Sequence, residues 1–224
     1  MADEFITFQR FGDKQSAQEL MKLLDQHHVE SQFEDDSTEL DAQLGGGGFA
    51  NYYTVKLRHQ DFEKANQILI EDAVEDLNSI DKDYYLFGFT DAELHDIVAH
   101  PDEWNPFDFL LAQKLLKERG QEIKPEEIKI LQQQRIAELS KPEPSQTLGI
   151  IAGYFFALLG GLVGIIIGWF LSSHKKTLPN GDRVYNYSES DRRHGKRILY
   201  LGLFFFIFWL AVKIFFMLRF GHHQ

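Results

Sequence analysis

Few residues in this chain have the types and spacing that chemistry needs. Asp91, His95, Asp96 and His100 offer two carboxylates and two imidazoles, the ligand set of a divalent-metal site. His95 follows Asp91 by four residues, but Pro101 ends the helix beside His100, and no HExxH or equivalent pattern is present. The spacing therefore predicts no metal. His27-His28 falls at a helix C-terminus, where partial positive charge is favourable, and His222-His223 closes the tail. Gly45-Gly46-Gly47-Gly48 would cradle a phosphate if it followed a strand and opened a helix. Instead it precedes a strand and follows Glu34, Asp35, Asp36, Glu39 and Asp41, so it reads as a surface loop. There are no cysteines, which excludes disulfides, thiolate catalysis and Cys-based zinc sites. There is no GxSxG, no Walker A and no dinucleotide fingerprint. The expectation is a non-enzymatic protein with no cofactor.

Charge divides the chain in two. Residues 1–146 carry 14 Lys+Arg against 31 Asp+Glu, a net of −17, and residues 147–224 carry 9 against 3, a net of +6. Phosphate recognition needs a basic footprint, so the overall −11 argues against nucleic acid as a partner. The partition suggests an acidic soluble part followed by a part that meets a lipid bilayer.

Leu148–Phe170 contains no charge, and at ~1.5 Å per residue it is long enough for a ~30 Å hydrocarbon core. Ile198–Leu218 is a second apolar run, interrupted only by Lys213, whose stem can snorkel to the interface. These runs predict transmembrane helices over 148–172 and 198–219, joined by a basic loop over 173–197. Gly153, Ala157, Gly161, Gly164 and Gly168 recur at spacings of three and four, which puts them on one nearly flat helix face. Such a face lets backbones approach closely, either within the hairpin against Phe204, Phe205, Phe206 and Phe208 or between copies in an oligomer.

Leu178-Pro179-Asn180-Gly181 is a turn signal, and Val184–Tyr187 after it suits a short strand. Arg192, Arg193, Lys196 and Arg197 form a basic cluster for headgroups or a partner. The segment 171–197 holds seven Lys+Arg, which the positive-inside rule assigns to the cytoplasm. A two-span hairpin would then export the acidic part, yet Met1–Phe5 has neither a basic n-region nor an apolar h-region. The two signals conflict. The favoured reading is an inner-membrane protein with both termini in the cytoplasm, and the opposite orientation stays open.

The soluble part must supply the elements. Glu4–Phe11 suits a strand, Ala17, Leu20, Met21 and Leu24 follow a helical period, and Val29–Glu34 suits a second strand. Tyr53, Val55 and Leu57 alternate with Thr54, Lys56 and Arg58 as in a half-buried strand, and Phe62, Ala65 and Leu69 share a helix face. The order β-α-β-β-α over 1–76 predicts an α+β domain of ferredoxin-like arrangement. Residues 84–140 read as a helical module. Thr90-Asp-Ala-Glu93 is a capping box, a second helix ends at Gly120, and a third starts near Pro125. Trp104 and the Tyr84–Phe89 run are expected to make its core or dock it on the sheet, the alternative being an exposed partner site, and 141–147 is a Pro-bearing linker.

The stretch FITFQRFGDKQSAQELMKLLDQHHVESQFEDD and the later YYTVKLRHQDFEKANQIL carry a resemblance. Ala17 to Leu24 with Val29, then Asp61, Glu63, Ala65, Ile68 and Leu69, resemble the packing motifs of the putative prokaryotic signal-transducing domain family. The likeness covers about residues 4–73. It implies a small module similar in shape to PII-type regulators and carries no catalytic residues with it. The chain departs from the pattern in its long Asp35–Asn51 connection and its apolar tail. Together these readings predict a membrane-anchored regulatory or adaptor protein of bacterial type. Its soluble domain would bind a protein or small ligand. The alternative is a structural subunit of a larger membrane complex.

Overall fold

A computed structural model describes residues 4–35, 52–77, 80–81 and 83–220. The Gly45–Gly48 loop, Asp36, Glu39, Asp41 and His222-His223 lie outside the described residues. The chain divides into two units, one formed by residues 1–140 and 177–182 and the other by 141–176 and 183–224.

In the first unit, Asp13 caps helix α1 (Lys14–Gln26) by accepting from the Ser16 backbone N–H at 2.8 Å. Strands β1 (Phe5–Phe11), β2 (Ser31–Asp35) and β3 (Tyr53–Arg58) form an antiparallel sheet in the order β1-β3-β2, with a register shift between Thr7 and Gln9. Helix α2 (Phe62–Asp76) follows. Its Phe62, Ala65 and Ile68 bury against Ile6, Val55 and Leu57 together with Ala17, Leu20 and Leu24 of α1. Lys56 and Arg58, alternating with that apolar row, pair with Glu34 and Glu30. The sheet therefore has one oily side and one charged side, as its period of two requires.

The C-terminus of α1 is closed by histidine rather than glycine. His28 takes φ +56, its N–H bonds the Asp25 carbonyl at 3.0 Å, and the Val29 N–H bonds Leu24 at 2.9 Å. This is a Schellman cap with a bulky residue in the left-handed position. Residues 177–182 belong to the same unit. Asn66 donates to the Pro179 carbonyl at 3.3 Å, and His59 Nε2 lies 3.1 Å from Asp182 Oδ1. Gly181, at φ +88, makes the turn.

A second core in this unit joins helices α3 (Asp91–Ala99), α4 (Pro106–Glu118) and α5 (Pro125–Leu139). Thr90 and Glu93 form a reciprocal capping box at α3. Asn105 caps α4, Gly120 closes it at φ +77, and Pro125 opens α5. Leu94, Ile97, Val98, Leu111, Leu115 and Leu116 make the core, with Leu86, Phe89, Trp104 and Phe107 packed in. Tyr85 and Phe87 stay about half-exposed, the Tyr85 hydroxyl end turned in against Asp108.

In the second unit the expected two-span hairpin is overturned. The apolar run over 148–170 is not one helix. It breaks at Gly160-Gly161 into α6 (Thr147–Leu159) and α7 (Leu162–Ser173), with Gly161 at φ +80. Adjacent glycines carry the largest backbone entropy cost in a helix, and only a glycine takes that φ without strain. The two arms double back. A Cβ on Gly164 would stand 2.6 Å from that of Ala157, and one on Gly153 would stand 3.0 Å from Ile167 Cγ2. Strands β4 (Lys175–Thr177) and β5 (Arg183–Tyr185) follow, then α8 (Glu189–Phe220). The fold class is thus corrected to a mixed, mainly helical protein, with eight α-helices and five short strands among the described residues. Of the described helices, only α8 is long and apolar enough to cross a membrane by length and composition.

Candidate membrane interface

The five small residues of the run do not lie on one straight helix; the reversal distributes them over the two arms of the hairpin. Gly153, Ala157, Gly161, Gly164 and Gly168 are all buried. Gly164 receives Ala157 of the opposite arm. Gly153, Gly161 and Gly168 receive α8, and a Cβ added there would stand 2.9 Å from Ile198 Cδ1, 2.7 Å from Phe206 N and 2.5 Å from Leu199 N respectively. The small side chains thus serve packing within the unit, where backbones approach closely.

Two partners were not singled out from the sequence. Gly195 and Gly202 of α8 face the hairpin, so that a Cβ on either would stand 2.9 Å from the Gly168 carbonyl or 2.8 Å from the Gly161 carbonyl. Asp191, Gly195, Ile198 and Gly202 recur at spacings of four, three and four, and all four are buried. That period was the available signal, hidden among bulkier neighbours.

Asp191 is the polar pin of the unit. It is 2% exposed, accepts from Ser145 Oγ at 3.0 Å and from the Gln146 backbone N–H at 3.3 Å, and sits where α6 begins. A carboxylate there satisfies an orphan donor and complements the helix dipole. Tyr154 Oη and His194 Nδ1 lie 3.1 Å apart one turn further on. The linker is held as well, because the Glu143 N–H donates to Asn186 at 2.8 Å and Lys176 donates to the Lys141 carbonyl at 2.7 Å.

The basic cluster occupies the first turns of α8. Arg193, Lys196 and Arg197 are exposed, on the side away from Asp191, Gly195 and Ile198. Arg192 turns aside, with its guanidinium 3.5 Å from the centre of the Tyr185 ring, and Lys175 Nζ lies 4.8 Å from the same centre. One turn beyond the cations the exposed side becomes apolar, with Tyr200 68% and Phe204 63% exposed. Trp169 of α7, 62% exposed, follows Gly168, which packs on Leu199. Cations followed by an amphipathic ring and then by apolar side chains is the order that headgroup, interface and acyl chain select.

Two polar clusters of the soluble unit are internally satisfied. Asp108 is 2% exposed and accepts from Tyr84 Oη at 2.7 Å, Tyr85 Oη at 2.5 Å and Asn105 Nδ2 at 2.7 Å. Desolvation, reinforced by those bonds to the carboxylate, pushes the Tyr84 phenol up to about 12 and Tyr85 higher still. Arg135 donates to both Asp102 oxygens at 2.8 Å and to Glu103 at 2.5 Å. Burial opposes ionisation of Asp102, but the Arg135 hydrogen bonds outweigh it and hold the carboxyl below its ordinary range. Both clusters tie helix ends together. His95 is exposed, while His100 Nδ1 lies 3.0 Å from Asp96 Oδ1. No group of three metal-binding side chains occurs among the described residues. The chain matches no protein-family model, no curated protein and no solved structure.

Proposed function

We propose that the protein is a membrane-anchored, non-enzymatic regulatory or adaptor module of bacterial type. Its soluble unit would bind a protein or small ligand on the cytoplasmic side of the inner membrane. The observation that carries the anchor is α8. Its apolar window is almost entirely exposed, unlike a soluble-core helix, and it begins with a cationic collar. The order β-α-β-β-α with strands arranged β1-β3-β2 supports the likeness to the signal-transducing family, and with it the ligand-binding role.

Full-length protein purified in mild detergent tests the reading. Fractions of cytosolic small molecules and proteins are screened for a rise in its unfolding temperature. A ligand at 100 times its Kd stabilises by ~2.7 kcal/mol, well above the noise of such a screen. A turnover of any metabolite by the purified protein would count against it. A second reading, a structural subunit of a larger membrane complex, rests on the exposed apolar side of α8 beyond Phe206. It requires a native mass in lipid nanodiscs well above one 26.0 kDa chain, with other proteins present.

A further inference from the structure

The geometry points to a re-entrant hairpin: α6 enters the bilayer, turns at Gly160-Gly161 inside it and returns as α7 to the same face, so that α8 alone crosses. This deepens the membrane reading and rests on it.

Arm length comes first. The 13 residues of α6 and 12 of α7 measure ~20 Å and ~18 Å, too short for a ~30 Å hydrocarbon core. The depth of the turn comes second. Gly161 packs on Gly202 and Phe206, and Phe206 lies nine residues, ~14 Å, beyond the last cation of the collar, Arg197. Trp209, one turn further on, still meets the hairpin through its indole N–H, which donates to the Leu158 carbonyl at 3.5 Å, and the nine residues from there to Leu218 add ~14 Å. The turn therefore stands about half-way through the bilayer, and α8 covers the other half unaccompanied.

Irregular backbone at that depth is tolerated only where protein covers it and its polar groups are satisfied. Gly161 is buried and meets both, while Gly160 beside it is exposed. The Gly160 and Gly161 N–H groups bond the Phe156 carbonyl, and the Gly161 carbonyl accepts from Ile165 at 2.8 Å. Gly161 also lies against the α8 backbone too closely for a Cβ.

Charge agrees. In a two-span hairpin the seven cations of 171–197 and the acidic soluble part would stand on opposite faces, which sets the positive-inside rule against a cytoplasmic soluble part. In the re-entrant path both arms end on the face where the Lys141–Gln146 linker enters. The basic connection and the soluble unit then share that face, and the positive-inside rule makes it the cytoplasm. The C-terminus lies on the other side.

The chain has no native cysteine, so single-cysteine variants of the full-length protein report topology directly. Gln18→Cys and Ser190→Cys sit at exposed positions in α1 and at the start of α8; Leu159→Cys sits at the turn; Gln224→Cys sits beyond α8. A membrane-impermeant maleimide is applied to intact cells and to inverted vesicles. The expected result is labelling of Gln18→Cys and Ser190→Cys only in inverted vesicles and of Gln224→Cys only in intact cells. Leu159→Cys should label in neither until denaturing detergent is added. Labelling of Ser190→Cys from the face opposite Gln18→Cys, or of Leu159→Cys from that opposite face, overturns the re-entrant path while leaving the anchor intact. Release of the protein from membranes by alkaline carbonate overturns the membrane reading itself, and the path with it.

Discussion

Gly161 sits at φ +80 directly against the carbonyl of Gly202, and a Cβ placed on it would also stand 2.7 Å from the Phe206 nitrogen. Conformation and space both demand glycine there. Gly161→Ala is expected to destabilise the protein by about 2–4 kcal/mol, combining left-handed strain with overpacking against backbone. Gly160 has an extended φ of −172 and nothing within 4 Å of a Cβ, so Gly160→Ala should stay within ~0.5 kcal/mol of wild type. Reversible unfolding in mixed micelles measures both. Equal effects would show that the turn is not packed as described.

Asp108 gathers three donors from side chains that its loss would strand. Asp108→Ala should cost about 2–4 kcal/mol, and Asp108→Asn, which keeps one acceptor, roughly half as much. Urea denaturation followed by tryptophan fluorescence reads the difference, since Trp104 lies in the same core.

The two phenols raised by burial and by Asp108 make alkaline stability a signature of the same cluster. A group whose folded pKa is raised contributes fully below its unfolded value, here 10.0, and loses that contribution as pH climbs through the folded value, about 12 for Tyr84. Two of the eight tyrosines should thus ionise late in a tyrosinate titration, in step with loss of helical ellipticity. Tyr84→Phe and Tyr85→Phe should each remove one late titration.

For Asp102 the sign reverses. Its folded pKa is depressed, so its contribution is present above the ordinary value of 3.8 and vanishes as pH falls through the folded one. Asp102→Asn should lower stability at neutral pH and converge with wild type in strong acid. Arg135→Lys, which cannot hold both Asp102 oxygens in one fork, should cost ~1–2 kcal/mol at neutral pH. Denaturant midpoints across the acid range check both, and parallel curves would remove Asp102 from the account.

At His28 a substitution should help. The residue occupies a left-handed cap position that glycine takes freely. His28→Gly is expected to raise stability by ~1 kcal/mol, with α1 unchanged by circular dichroism. A drop would mean that the His28 side chain makes a compensating contact.

Local signals were legible in the sequence because their physics is local. The Thr90–Glu93 box, Pro125 and the Pro179–Gly181 turn each satisfy or preset a few backbone groups, and each appears where its residues stand. The alternation of Tyr53–Arg58 likewise marked Val55 and Leu57 as buried, although Thr54 of the polar row is buried too. The 148–170 run failed for the opposite reason. Apolar on every side, it has no periodicity to mark where the chain bends, and glycine pairs are ordinary in helices that meet lipid. The small residues were recognised as a packing set but assigned to one straight face. Asp108 and its tyrosines, 23 and 24 residues apart, leave no pattern at all.

The α6–α7 hairpin ends part-way along α8, and that has a mechanical corollary. In the re-entrant path the leaflet next to the collar holds three helices side by side, while the opposite leaflet holds one. Each helix is ~10 Å across, so the inserted body tapers like a cone and displaces about three times as much lipid area on one side as on the other. A tapered inclusion relieves packing stress where that leaflet is stretched and adds to it where that leaflet is compressed. In tubules and vesicles of graded radius, the protein would therefore sort by the sign and magnitude of membrane curvature.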